Sequence, residues 1–190
     1  MAGGLSILLT LLIVLVIVGI VSYIVSIFNG LIRLKNNIRK SLANIDVLLK
    51  QRHDELPNLV NTVMGYMRHE KSTLLLITKA RTEFLNAHTL SQKAAVNDVI
   101  SNSLKSIFAV AENYPVLKAN ENFLTLQKRI SEIENSIADR REFYNDSVNL
   151  YNIRIESIPD VVVARMLNYQ REDMFTASDE DKKNIDVKMQ

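Results

Sequence analysis

The sequence predicts an all-α protein: one N-terminal transmembrane helix followed by an elongated antiparallel four-helix bundle. Three observations carry this. Met1 to Gly30 holds no charged side chain, and Leu5–Phe28 is an almost unbroken run of Leu, Ile and Val. The chain of 190 residues has only five Gly and three Pro, and four of those glycines fall in the first 30 residues. Strand-and-turn architectures need far more punctuation than that. Beyond the run, apolar residues recur at spacings of three and four, the period of helices packed on one face.

The anchor comes first. The 24 residues of Leu5–Phe28 make about 36 Å of α-helix, enough to cross a hydrocarbon core of about 30 Å with some tilt. A cleaved signal peptide is disfavoured: Met1-Ala2-Gly3-Gly4 offers no basic flank, and Asn29-Gly30-Leu31-Ile32 no small-x-small site. With no cysteine and no Gly at position 2, lipid modification is disfavoured as well. Behind the run stand Arg33, Lys35, Arg39 and Lys40, and no acid appears before Asp46. The positive-inside bias therefore predicts a short N-terminus outside and the bulk of the chain in the cytoplasm, an orientation that the absence of cysteine fits. Setting topology explains the four bases by itself; recognition of anionic headgroups is a weaker addition.

The expected divisions are 1–30 as the transmembrane anchor, 31–177 as a cytoplasmic four-helix bundle, and 178–190 as a polar, disordered tail. In the first soluble helix Ile38, Leu42, Ile45 and Leu49 face inward, and no proline separates them from the anchor. Leu56-Pro57-Asn58 should break or kink the backbone. A second helix is expected from about Asn58 to Asn86, with Leu59, Val63, Met67, Leu74, Ile77 and Phe84 inward. His88–Ser91 reads as a connection with Ser91 as N-cap. A third helix carries Val96, Ile100, Leu104, Ile107 and Ala111 and stops at Pro115. The fourth, expected over Val116–Ser157, has the narrowest stripe: Phe123, Leu126, Ile130, Ile133 and Ile137, then Tyr144, Val148, Tyr151 and Ile155. Such a stripe suits coiled-coil-like packing. Pro159 ends it, and Val161–Leu167 reads as a short apolar helix.

Catalytic constellations are missing. His53, His69 and His88 have neither a second His at i+4 nor a Glu three residues before them, so neither a zinc helix nor a di-iron bundle is spelled, and all three read as surface or helix-end histidines. Gly65 is the one glycine beyond residue 30, which excludes a Gly-rich phosphate loop, and no Ser lies in a Gly-x-Ser-x-Gly elbow. The net charge of +2, with both signs interspersed, leaves no nucleic-acid footprint. The expectation is a protein that is not an enzyme, with no cofactor, no metal, no nucleic acid and no small-molecule substrate. One polar feature interrupts the apolar faces. Tyr144-Asn145 and Tyr151-Asn152 repeat at a spacing of seven, one turn after Arg140 and Arg141. They read either as an interface that recognises a partner or fixes register, or as tyrosines with rings in the seam and hydroxyls at its edge. The second is favoured.

Three strings resemble the LemA family: Asp46–Glu70, with Leu56-Pro57-Asn58 inside it; Glu112-Asn113-Tyr114-Pro115-Val116-Leu117-Lys118-Ala119-Asn120, followed by Phe123, Leu126 and Gln127; and Arg141 with the two Tyr-Asn pairs. The chain departs from the family pattern at His53, where a basic residue is frequent, and at Glu55, where an apolar one is. The resemblance implies one N-terminal membrane helix and a four-helix domain in the bacterial inner (cell) membrane, with no established catalytic activity or cofactor. It also implies membrane work with other proteins, since family members are encoded near HtpX-type membrane metallopeptidases and relatives occur in magnetosome formation. The expected function is a membrane-anchored scaffold or adaptor that forms homo-oligomers or engages membrane proteins. The alternative is a regulator or substrate-presenting partner of such a peptidase.

Overall fold

The computed structural model describes residues 2–67 and 70–177. Among them there are six helices and no strand: α1 (Ala2–Met64), α2 (Lys71–Asn86), α3 (Leu90–Ala111), α4 (Pro115–Lys118), α5 (Glu121–Glu156) and α6 (Asp160–Met166). The expected polar tail and His69 lie outside the described residues.

The chain divides into two compact units, one of Met1–Lys40 with Asp146–Glu172, the other of Ser41–Asn145 with Asp173–Gln190. In the second unit a single apolar cluster takes Leu56, Leu59 and Val63 from α1, Leu74 and Ile77 from α2, Val96, Ile100, Leu104 and Ile107 from α3, and Phe123 and Ile130 from α5. These are nearly all residues marked by the three–four spacing, because only positions on one stripe of each helix can reach a common core. Phe108 meets Phe123 edge-on, with ring centroids 6.4 Å apart. In the first unit Ile27, Leu31, Ile38, Val148, Tyr151, Ile155, Val163 and Ala164 are buried.

Three helix boundaries differ from expectation. α1 passes through Pro57 without ending. Proline costs the bond to the His53 carbonyl, but Leu56, Leu59 and Val63 are wholly buried on either side, and that packing outweighs the lost bond. The chain turns instead at Gly65-Tyr66, where the Tyr66 and Met67 amides both donate to the Val63 carbonyl. The N-cap of α3 is Thr89, not Ser91. Its hydroxyl accepts from the Gln92 amide at 3.1 Å while the Gln92 side chain accepts from the Thr89 amide at 3.2 Å, a complete capping box. The fourth helix is interrupted at Ala119-Asn120: α4 is one turn, and the Asn120 carboxamide accepts from the Phe123 amide at 3.0 Å to start α5.

The end of α6 is also chemically specified. Asn168 sits at φ 52, the left-handed region that favours Gly and tolerates Asn. It lets the Tyr169 amide donate to Ala164 and the Asn168 amide to Arg165, the two bonds of a Schellman cap.

Candidate functional site

Three features distinguish the molecule from a plain helical domain. The first is the anchor. α1 is long and apolar enough to cross a membrane, and none of its most apolar window is buried inside protein. Nineteen residues of side chain from Ile7 to Val25 stand open to their surroundings, broken only by Thr10, Gly19 and Ser22 among smaller groups. The Thr10 hydroxyl donates to the Ser6 carbonyl at 2.8 Å, so this polar group is satisfied within the helix, as a hydrocarbon environment demands. Of the four flanking bases, Arg33, Arg39 and Lys40 are exposed. Lys35 is engaged: its Nζ lies 3.3 Å from Glu172 and 4.7 Å from the Tyr169 ring centre.

The second feature is the pair of Tyr-Asn steps on α5, which hold irregular backbone of this same chain. In the first unit the Tyr151 hydroxyl donates to the Gln170 carbonyl at 3.1 Å. Asn152 makes a two-bond clamp on Glu172, donating to its carbonyl and accepting from its amide, both at 3.0 Å. Burial, then the Glu172 carboxylate and Tyr169, push the Tyr151 phenol up to about 12. In the second unit the Tyr144 hydroxyl donates to the Asp173 carbonyl at 2.9 Å, and Asn145 accepts from the Phe175 amide at 2.7 Å. Phe175 is fully buried, with the Arg141 guanidinium 5.0 Å above its ring. Both tyrosine rings are buried and both hydroxyls reach backbone. The spacing of seven thus serves a segment that has no helical bonds of its own and takes side-chain ones instead.

The third feature, which sequence reasoning missed, is a buried charge. Arg52 is 1% exposed. Its Nη1 donates to Glu134 at 2.5 Å and to the Ser101 hydroxyl at 3.1 Å, and Ser101 donates to the other Glu134 oxygen at 2.6 Å. Burial lowers the hold of Arg52 on its proton and Glu134 opposes that. The signal was available: Arg52 falls three residues after Leu49 and four before Leu56, on the apolar stripe of α1. Ser101 and Glu134 also line a groove of about 490 Å³, together with Asn97, Asp98, Lys105 and Arg141. Arg141 closes one wall by pairing with Asp98 at 2.8 Å. Both Glu134 oxygens are committed to Arg52 and Ser101, so the groove presents hydrogen-bonding groups rather than a free base. His53 is buried against the Phe84 ring at 5.4 Å, unlike the surface position expected of it, because α1 continues through Pro57 and keeps this turn packed. His88 is exposed as expected. Among the described residues no group of three or more His, Cys, Asp or Glu is placed to hold a metal ion.

Comparison with known proteins matches residues 41–189 to the LemA family model. The chain is 22% identical to Magnetosome protein MamQ 2 of Paramagnetospirillum magneticum, over 85% of this chain and 69% of that protein. It is 27% identical to Protein LemA of Metamycoplasma hominis, over 84% of this chain and 73% of that one. Magnetosome protein MamQ of Magnetospirillum gryphiswaldense is 19% identical over 85% and 69%. None of these names states an enzymatic activity.

Proposed function

The chain belongs to the LemA family, and from that premise we propose that it is a non-catalytic, membrane-anchored scaffold or adaptor. In this reading the helices from Leu31 onward form an antiparallel four-helix bundle on the cytoplasmic face. The bundle engages further copies of the chain or other membrane proteins. The observation that carries the reading is α1. Its first half is an exposed apolar span, and its second half supplies Ile45, Leu49, Leu56 and Leu59 to a protein core. The apolar span and these core residues therefore lie on one helix, Ala2–Met64. The bases Arg33, Lys35, Arg39 and Lys40 favour the cytoplasmic orientation. Relatives named for the magnetosome favour work within an assembly over work on a soluble metabolite.

Cross-linking in native membranes, with mass spectrometry of the adducts, tests the reading. Adducts between copies or with other membrane proteins are the expected result. A chain that stays monomeric and captures nothing would sink it. Co-purification of a membrane metallopeptidase in mild detergent would select the peptidase-partner version. Digestion of the helical domain by external protease on intact spheroplasts would reverse the orientation.

A further inference from the structure

α6 faces the wrong way for a helix in water. It buries Asp160, Val163 and Ala164, yet its other side carries Val162 and Met166, exposed by 59% and 83%, and Ile158 just before it is 88% exposed. Val162 and Met166 stand four apart on one face of α6, Ile158 lies in the turn that leads into it, and Arg165 is exposed beside them. An apolar face turned outward marks a contact.

The position of α6 says with what. Two contacts within the first unit set the register of α5 beside α1. Lys35 lies 6.0 Å from the Tyr151 ring centre, and the Arg154 guanidinium lies against Gly30, where a Cβ would stand 3.0 Å from its Nη1. As numbers fall along α1 from 35 to 30, they rise along α5 from 151 to 154. α5 ends at Glu156, and after the turn through Ser157, Ile158 and Pro159 the first residue of α6, Asp160, pairs with Arg154, which brings the start of α6 to the level of Gly30, just past the apolar span. The last turn of that span is covered on one side only: Ile27 and Leu31 are buried, while Ser26, Phe28 and Asn29 are exposed. The Arg154 charge arrives there neutralised, since its Nε and Nη2 both meet Asp160 Oδ2 at 2.5 Å.

We propose that α6 is a second membrane contact: Ile158, Val162 and Met166 enter the boundary between headgroups and acyl chains beside the transmembrane helix, with Arg165 and Arg33 at the level of anionic headgroups. The occupant of this face is the bilayer surface, because α6 begins beside the end of the span, held there by the Arg154–Asp160 pair, and the exposed Arg165 and Arg33 carry the charge that anionic headgroups take, while the exposed Glu156 is paired with Arg171. Interfacial helices of this kind bury one apolar face about 5–10 Å into the boundary and keep basic residues at its edge. The inference rests on α1 crossing the membrane, as proposed above, and adds a footing that resists tilt and rotation of that helix.

The chain has no tryptophan, so a substituted one reports alone. Full-length Met166→Trp, Val16→Trp and Leu75→Trp would be reconstituted in phosphatidylethanolamine and phosphatidylglycerol vesicles. The lipids carry a quenching doxyl group either near the carbonyl or near the chain end. The expected result is loss of Met166→Trp emission mainly to the shallow label, loss of Val16→Trp emission mainly to the deep label, and no loss for Leu75→Trp. If Met166→Trp behaves like Leu75→Trp while Val16→Trp is quenched, the footing is wrong and the anchor stands. If Met166→Trp emission is blue-shifted yet untouched by either label, protein rather than lipid covers this face, which also overturns the proposal. If Val16→Trp escapes the deep label, the anchor reading falls and the footing with it.

Discussion

Removing Glu134 should destabilise the helical domain far more than removing the whole charge cluster. In Glu134→Ala, Arg52 keeps only the Ser101 hydroxyl at 3.1 Å, and its guanidinium stays in a site with 1% exposure. Breaking one side of a buried pair costs about 3–5 kcal/mol, since a charge is left without compensation. The Glu134 side chain retains 23% exposure, so some water can follow the loss, which places the expected cost at the lower end, about 3 kcal/mol. For a domain of this size that is a fall in melting temperature of about 6–12 °C. Glu134→Gln keeps the shape and one acceptor and should fall between. Arg52→Met with Glu134→Leu takes both charges out of the interior. It should return close to the parent, because apolar side chains of similar volume replace a buried pair at little or no cost. The Ser101 hydroxyl can then turn to the carbonyl one helical turn back. Urea and thermal unfolding of the full chain in micelles, followed by far-ultraviolet circular dichroism, measure the series. The reasoning is refuted if Glu134→Ala costs no more than a surface pair, about 1 kcal/mol or less, or if the double variant is as unstable as Glu134→Ala.

Three further outcomes follow from the same contacts. The Tyr151 phenol is pushed up to about 12 in the folded chain, against about 10 when unfolded, so the unfolded chain loses its proton first. The stability that the protonated phenol contributes is complete below about pH 10 and is lost as pH rises to about 12, a fall of about 3 kcal/mol that Tyr151→Phe should abolish in alkaline unfolding curves. Asn152→Ala removes two bonds to Glu172, a loss of about 2 kcal/mol. Hydrogen exchange should then show the Glu172 amide unprotected, and Asn145→Ala should do the same at Phe175; protection that survives both substitutions would contradict the clamps. Thr89→Ala opens the capping box of α3 and should cost about 1 kcal/mol in the same unfolding assay, whereas Ser91→Ala should cost less than half of that.

Most of the helical core was legible because burial and periodicity are the same fact read twice. Ile45, Leu49, Leu59, Val63, Ile100, Leu104, Ile107, Phe123, Ile130 and Tyr151 all lie on their expected stripes and are all buried. Helix ends were harder, since each turns on competition between neighbours. Ser91 and Thr89 are both good caps, and Gln92 decides for Thr89 by answering from the third helical position. Pro57 misled because a local rule met a non-local load: three fully buried residues hold α1 together across it. The Tyr-Asn pairs were visible as a spacing of seven, but not what they hold, because Gln170 to Phe175 carries no periodicity from which a partner could be inferred. Arg52 hid for the opposite reason. A long cation on an apolar stripe ordinarily snorkels outward, and here only the Glu134–Ser101 pair from two other helices keeps it in.

Gly30 and Arg154 bring α1 and α5 together within the first unit. A glycine inside a helix costs roughly 1 kcal/mol against alanine, and whereas Gly4 and Gly19 in α1 have open space where a Cβ would stand, Gly30 has a close neighbour. The Arg154 guanidinium lies there: a Cβ at position 30 would stand 3.0 Å from its Nη1, so alanine would push this side chain back by a few tenths of an ångström. Arg154 is itself held by Asp160, the first residue of α6. One glycine, one arginine and one aspartate therefore tie α1, α5 and α6 together just beyond the apolar span, where the Arg154 charge is met by that of Asp160. A helix that only anchored would gain from alanine at that point. A helix that must present α6 to the membrane surface at a fixed height gains more from the close approach that glycine allows.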